Sequence, residues 1–383
     1  MKAPADQVLI VGAGIGGLAA AVALRRMGIE ATIFEQAPVL EEVGAGVSLW
    51  PNATRALGEM GLLAAVVDGH QPMEEIVVRI VHGTVLLRLQ GVGRWEAPAI
   101  CVHRAHLQRV LKEHVPAHCL HLGRRVVHVE REEGGVSVRF EDGSSASGLL
   151  LIGCDGIHSV VRGLLHGSSP PRYRGYQIWR GVSPVHLEGA FLGRSTEWWG
   201  PGRRFGLLPG GQERLFWYAT HSQSDGEEGS GSQLSILRKL FGDWPYPVME
   251  IMEGSVGGRV IRTQATDRSV AWGRGRITLL GDAAHPTTPN LGQGACMTLE
   301  DALILARCLA KDGPAPESLR RYERIRGPRA RWIVRQSRRI GGIAQLSHPF
   351  LTRPRNGLMR LLPRSVVSRV ERGIYGYGHS EGP

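Results

Sequence analysis

Cysteine is scarce and unpatterned. The five residues Cys101, Cys119, Cys154, Cys296 and Cys308 are odd in number and contain no C-x-x-C pair. Neither a zinc site nor a disulfide framework is indicated, no metal is expected, and the thiols read as reduced residues of a cytoplasmic protein. No run of eighteen apolar residues occurs, so nothing is expected to span a membrane. The N-terminus lacks the charged-then-apolar plan of a signal peptide. The 52 glycines keep no repeat period, which excludes collagen and solenoid architectures.

What remains is a chain of 383 residues, 42% hydrophobic and 21% charged, long enough for two joined domains around a sizeable core. The net charge of +11 fits either the steering of an anionic partner or a basic surface. Much of the excess lies between Arg320 and Arg372 without interleaved aromatics, so a nucleic-acid partner is not expected.

Val8–Val11 is an apolar run, followed by the glycine-rich turn Gly12-Ala13-Gly14-Ile15-Gly16-Gly17 and an Ala-rich helix over Leu18–Met27 that Gly28 closes. Ile29–Phe34 alternates as a second strand. Gly44–Asn52 reads as a loop running into a helix, and Arg104–His114 as a further helix. Val126–Glu130 and Val136–Glu141 read as a hairpin, and Leu149–Ile152 as a buried strand. From about Tyr173 tryptophans and short β-type runs dominate. Ser224–Ser232 is Gly, Ser and acid only and reads as a mobile loop. The α/β character returns at Ile277–Leu280 and leads into a helix over Cys296–Ala310. The expected fold is α/β, with a dinucleotide-binding domain over 1–75, 101–171 and 272–318. A mixed β-sheet substrate domain over 76–100 and 172–271 is inserted into it, and a helical segment over 319–383 follows. In that tail Leu351, Leu358, Met359, Leu361 and Leu362 with Arg353, Arg355 and Arg360 form a basic amphipathic stretch. It fits a helix packed on the body or a dimer surface better than weak membrane-surface contact.

Gly12, Gly14 and Gly17 satisfy G-x-G-x-x-G between a strand and a helix. The first allows the tight turn, the second lets backbone approach a pyrophosphate, and the third brings helix and sheet together. The helix N-terminus offers unpaired N–H groups to phosphates. Glu35 ends the second strand, where a carboxylate accepts from an adenosine ribose and repels a 2′-phosphate; FAD or NAD is expected over NADP.

Two further motifs carry a resemblance. Gly153-Cys154-Asp155-Gly156-Ile157-His158-Ser159 followed by Arg162, and Gly281-Asp282-Ala283-Ala284-His285-Pro286 continuing through Thr287–Gly294, resemble the "DG" and "GD" motifs of the group A flavoprotein monooxygenases. This is the family of para-hydroxybenzoate hydroxylase, and the match is nearest to its urate hydroxylase and zeaxanthin epoxidase-like subgroups. The resemblance implies FAD as cofactor, NADH or NADPH as a transient co-substrate, and insertion of one oxygen atom of O2 into a small aromatic or N-heteroaromatic substrate through a flavin C4a-hydroperoxide. No second glycine-rich unit for the nicotinamide occurs, as the resemblance implies.

Asp282 is expected to face the flavin ribityl chain, and Asp155 to order its turn. The resemblance places Gly16, Gln36, Ser48, Arg104 and Val126 among the flavin contacts. It adds Pro289, Gly292, Gln293, Gly294 and Ala295, a stretch that would bring small residues and free N–H groups beside the isoalloxazine ring. His285 is expected as a packing residue beneath Asp282. Catalytic candidates are Arg204, as a bidentate clamp on an anionic or carbonyl-bearing substrate, and Tyr218, which nothing in the spacing singles out as a base. Expected pocket walls are Trp179, Trp199, Phe205, Leu207, Trp217 and Pro289. A flavin-dependent epoxidase or natural-product-modifying oxygenase acting on a lipophilic substrate is the alternative, and a non-catalytic dinucleotide-binding module the remote one. A monomer or a homodimer fits equally.

Overall fold

The computed structural model describes residues 7–40, 45–167, 170–185, 187, 191, 193–211, 214–224, 231–255, 260–268 and 271–376. Most of the Ser224–Ser232 run lies outside the described residues.

The first domain is built on a five-stranded parallel sheet with Val8–Val11 at its centre. Every residue of that strand is buried, as its continuous apolar run requires when both faces are covered. Leu150–Gly153 and Ala31–Phe34 flank it in parallel register, Ile10 lying between Ile152 and Ile33. Ile277–Leu279 and Leu120–His121 form the edges. The helix Ile15–Arg26 is Ala-rich because it packs closely against a second long helix, Gly294–Asp312. Gly28, with φ +76°, ends the first helix in the left-handed conformation that favours glycine. The expected hairpin extends over Val126–Arg131 and Val136–Phe140 and gains a third strand, Ser145–Gly148.

The segment read as a loop from Gly44 contains a strand, Gly46–Leu49, paired antiparallel with Ile100–His103. Its four residues leave no room for a recognisable alternation, and tertiary pairing decides the conformation.

The second layer is a seven-stranded mixed sheet. Its order is Ile261–Asp267, Arg172–Ser183, Leu215–Ser222, Arg203–Pro209, Arg194–Gly200, Glu75–Ile80 and Val85–Leu89. All pairs are antiparallel except Arg194–Gly200 with Glu75–Ile80. One face packs on the helices Gln233–Phe241 and Val248–Glu253, and the other looks toward the dinucleotide domain.

The tail is helical from Pro316. A helix of 29 residues, Pro316–Ala344, runs along Gly294–Asp312, and Pro349–Arg360 and Arg364–Tyr375 follow. Buried carboxylates fasten it. Asp267, fully buried, takes Arg338 from the tail (2.9 Å) and Arg174 from the sheet. Arg329 donates to the carbonyls of Gly373 and Ile374, and Tyr375 stacks on Trp50 at 5.2 Å. Among the described residues no helix is long and apolar enough to cross a membrane.

Candidate active site

The glycine-rich turn has the geometry of a phosphate cradle. Gly12 has φ +101°, and a Cβ there would lie 2.6 Å from the Cys154 carbonyl oxygen. Gly17 faces the Gly12 carbonyl so closely that no side chain fits. At Gly14 an added Cβ would meet nothing within 4 Å, so open space lies against the backbone of the turn. Gly16 is half-buried against Thr298, 3.1 Å from the Cβ it lacks. The Glu35 carboxylate is fixed by the N–H groups of Ala13 (2.7 Å) and Ala37 (2.9 Å). A cavity of about 380 Å³ opens beside it, lined by Ala13, Gly14, Glu35, Pro38, Leu40 and Gln108 among others. A carboxylate held at the rim of a cavity beside an open glycine turn suits an adenosine ribose and its pyrophosphate. Gln36 is exposed just beyond.

Arg162 joins the other two motifs. Buried, it donates to the carbonyls of Ile157 (2.5 Å) in the first and Ala283 (2.9 Å) in the second. Asp155 accepts from Val161 N at 3.0 Å and so orders its own turn; burial raises its pKa. Asp282 opens into the cleft. Solvent reaches its carboxylate, yet surrounding protein desolvates it enough to raise its pKa, against the pull of His285, Arg104 and Arg162. Arg104, exposed at the start of the helix Arg104–Glu113, is near enough for its charge to favour ionised Asp282.

The loop after Asp282 forms a single turn, Pro289–Leu291, and then Gly292 takes φ +61° beneath the Trp50 indole. The first intrahelical bond of Gly294–Asp312 runs from Met297 N to Gln293 O at 2.9 Å, so the N–H groups of Gly294, Ala295 and Cys296 have no acceptor within the helix. Gly294 and Ala295 are half-exposed toward the cleft, whereas the Gln293 side chain turns inward and takes a hydrogen bond from Asn52 at 3.0 Å. Gln293 thus braces the loop from behind. Ser48 lies half-buried on the strand below, its carbonyl 3.4 Å from Cys296 Sγ. Burial pushes the Cys296 thiol up to about 12, so it is no nucleophile. Val126 is a buried strand residue opposite Phe140.

His285 does more than pack. Its Nε2 lies 2.5 Å from Asp301 Oδ2, which also takes the Gly281 N–H at 3.2 Å. Arg326 binds Asp301 and Glu300, both at 2.6 Å. Asn52 donates to Glu300 at 2.5 Å. This wholly buried network ties the Asp282 turn to the tail helix. It escapes sequence reading because its members lie up to 274 positions apart, from Asn52 to Arg326 (326 − 52).

The seven-stranded sheet corrects part of the expected pocket. Trp179, Phe205, Leu207 and Trp217 pack with Trp198, Leu237, Phe241 and Ile251 on the face away from the dinucleotide domain. Trp199 is on the near face but packs at its edge with Val78, Leu86 and Ala344, under the Arg355 guanidinium. Strand alternation assigns the near face to Tyr176, Ile178, Arg180, Glu197, Arg204, Phe216, Tyr218 and Thr220 instead.

Each Arg204 nitrogen already has a protein acceptor. Nε meets Thr220 and Gln345 (3.3 and 3.2 Å), Nη1 meets Glu197 (3.1 Å), and Nη2 meets Asn290 (2.6 Å). Three of its five N–H groups are engaged in this way, one on each nitrogen, and they fix the guanidinium between the sheet, Asn290 and the tail. Tyr218 lies over Gly206, where a Cβ would come 2.6 Å from its hydroxyl. Burial and the adjacent Glu197, which accepts a hydrogen bond from its hydroxyl, push its pKa well above the ordinary tyrosine value. It is held neutral, which disqualifies it as a base near neutral pH. Arg180 differs from Arg204. Its Nη1 meets Thr263 Oγ1 at 3.1 Å, and no carboxylate among the described residues pairs with it. Burial and Arg104 both work against its charge, so an arriving anion would be welcome there.

Known proteins share this sequence pattern and fold. Residues 5–337 match the FAD binding domain family. The chain belongs to that family, as an FAD-dependent monooxygenase. It is 40% identical over 373 residues to an aurachin C monooxygenase/isomerase of Stigmatella aurantiaca, covering 96% of this chain and 97% of that one. It is 37% identical to a 3-amino-4-hydroxybenzoate 2-monooxygenase of Streptomyces cremeus, covering 87% and 86%. Among solved structures, Klebsiella pneumoniae HpxO complexed with FAD and uric acid superposes with a TM-score of 0.86 at 30% identity, covering 94% of both chains. The glycine cradle, the Glu35 rim and the free N–H groups of Gly294 and Ala295 fit FAD in this monooxygenase.

Proposed function

We propose that this monooxygenase hydroxylates a small, electron-rich aromatic or N-heteroaromatic molecule, with NADH or NADPH as electron donor. Bound FAD supplies electron transfer from the nicotinamide and activation of O2. The chain's own residues bind, orient and shield. Gly14 and the helix start at Gly16 take the pyrophosphate on a turn that Gly12 and Gly17 shape, with Glu35 at the ribose and Asp282 and Arg104 along the ribityl side. The N–H groups of Gly294 and Ala295 meet developing negative charge on the ring. Pro289 on one side and Tyr176, Ile178 and Tyr218 on the other hold a flat substrate and exclude water. Tyr218, whose proton is directed to Glu197, presents an oxygen lone pair that accepts a substrate O–H or N–H. Arg204 is a positioning residue that joins the sheet, Asn290 and the tail residue Gln345. The enzyme works as a monomer or homodimer in the cytoplasm.

The observation that carries this reading is the polar sheet face turned toward the Pro289–Gly294 loop, with Arg180 paired to no carboxylate among the described residues. Relatives named for a hydroxybenzoate and for urate act on anionic rings. A screen for substrate-stimulated NAD(P)H oxidation, with hydroxylated product and not peroxide as the outcome, tests the reading. For an acidic substrate, Arg180→Gln is expected to raise KM about 10–100-fold, the size of a lost charge-assisted hydrogen bond, and to leave the neutral analogue almost unchanged. Arg204→Gln is expected to affect both analogues alike. An Arg180→Gln variant equally impaired with acid and neutral compound rejects the anion contact.

One observation favours a second reading, oxygenation of a lipophilic natural product through epoxidation. The Stigmatella relative is named for isomerase as well as monooxygenase action, and an oxygenation coupled to rearrangement starts naturally at an epoxide. An epoxide or diol product in the same screen distinguishes it.

A further inference from the structure

The amphipathic tail does not bury its apolar side. Helix Pro349–Arg360 turns Thr352 and Arg355 inward, whereas Phe350 is 83%, Leu358 67% and Leu361 79% exposed. At about 100° per residue, Phe350, Leu351, Pro354, Leu358 and Leu361 share roughly one third of the helix circumference, beside Arg353 and Arg360. Helix Arg364–Tyr375 continues the surface with exposed Val366 and Val370, one turn apart, and with Arg364 and Arg369. Residues 346–376 contain six arginines and one acid, Glu371, which is buried. The expectation of a helix packed on the body therefore holds only for the Thr352–Arg355 side.

Large exposed apolar side chains edged by unopposed arginines need a covering surface that is apolar and anionic together. A second copy meets only the first condition, because the same face on both partners sets arginine against arginine. We propose that these two helices are a docking surface for anionic lipid. Phe350, Leu351, Leu358, Leu361 and Leu362 enter the boundary between headgroups and acyl chains, and Arg353, Arg360, Arg364 and Arg369 meet the phosphates. The contact is peripheral and independent of which molecule is oxygenated.

Co-sedimentation of the FAD-loaded full chain with vesicles tests this. Binding is expected to vesicles of phosphatidylcholine mixed with phosphatidylglycerol, weakening with salt, and not to phosphatidylcholine alone. Leu358→Ser with Leu361→Ser, and separately Arg360→Glu with Arg364→Glu, are each expected to lower partitioning at least about tenfold. Flavin absorbance and Tm should stay unchanged, since these side chains are exposed. Absent or charge-independent vesicle binding overturns the proposal. So does a concentration-dependent dimer that the double serine variant dissolves while vesicles leave the protein in solution; the face then belongs to a second copy.

Discussion

Gly14→Val is expected to fold like the parent and lose FAD, whereas Gly17→Ala, three positions on, is expected to destabilise the fold itself. At Gly14 the backbone is extended, with φ −70° and ψ −174°, which any residue adopts, and the space beyond its Cα is empty of protein. A valine there costs the apoprotein little but occupies the room a pyrophosphate needs against the backbone. FAD affinity should fall by about 100-fold or more, equivalent to roughly 2.8 kcal/mol. At Gly17 the new methyl would overlap the Gly12 carbonyl, which belongs to the rigid turn between strand and helix and cannot yield. Overpacking of this kind costs about 3 kcal/mol or more. Urea unfolding of the two apoproteins, followed by fluorescence titration with FAD, separates the cases. If Gly14→Val melts early, the turn is sensitive to bulk for structural reasons and the phosphate assignment loses its support.

The same contrast explains what the sequence made legible. The glycine turn, Glu35 and Asp282 announce themselves because their constraints are local: a strand, a tight turn, a helix and an acid within a short stretch. The β-rich layer does not. Alternation separates Trp179 from Arg180, Phe205 from Arg204 and Trp217 from Tyr218, but it does not say which half looks toward the flavin. Two amphipathic helices, Gln233–Phe241 and Val248–Glu253, need an apolar face to cover, and they take the tryptophans. The polar half is left for the cleft. The need of those helices for an apolar partner is what puts Trp179, Phe205, Leu207 and Trp217 on the far face. Arg204 was conspicuous for its charge, and its real partners, Asn290 and Gln345, come from loops and helices far along the chain. Such long-range satisfaction of a buried donor leaves no spacing to read.

Loss of Asp301 is expected to be the most damaging single change outside the glycine turn. Its carboxylate, fully buried, receives His285, the Gly281 N–H and Arg326. Asp301→Ala leaves Arg326 buried with Glu300 as its remaining carboxylate partner, and removal of one member of a buried charged group costs about 3–5 kcal/mol. Because Asp301 also holds Gly281, the Asp282 turn should loosen and FAD should dissociate faster. The pH dependence has a defined sign. Burial alone would raise the Asp301 carboxyl, but His285 and Arg326 outweigh it and hold its pKa below the ordinary value of 3.8. The unfolded chain therefore binds this proton first as pH falls. The carboxylate's contribution is complete above about pH 4–5 and drains away as pH drops through the lowered folded value. The carboxyls of Asp155 and Asp282, with pKa values raised by desolvation, act in the opposite direction but are common to parent and variant. The stability difference between the parent and Asp301→Asn, measured by urea unfolding, should thus be largest near neutral pH and shrink below about pH 4. A difference that stays constant down to pH 3 would mean that Asp301 is protonated throughout and that the charged network beneath the flavin turn is not what holds it.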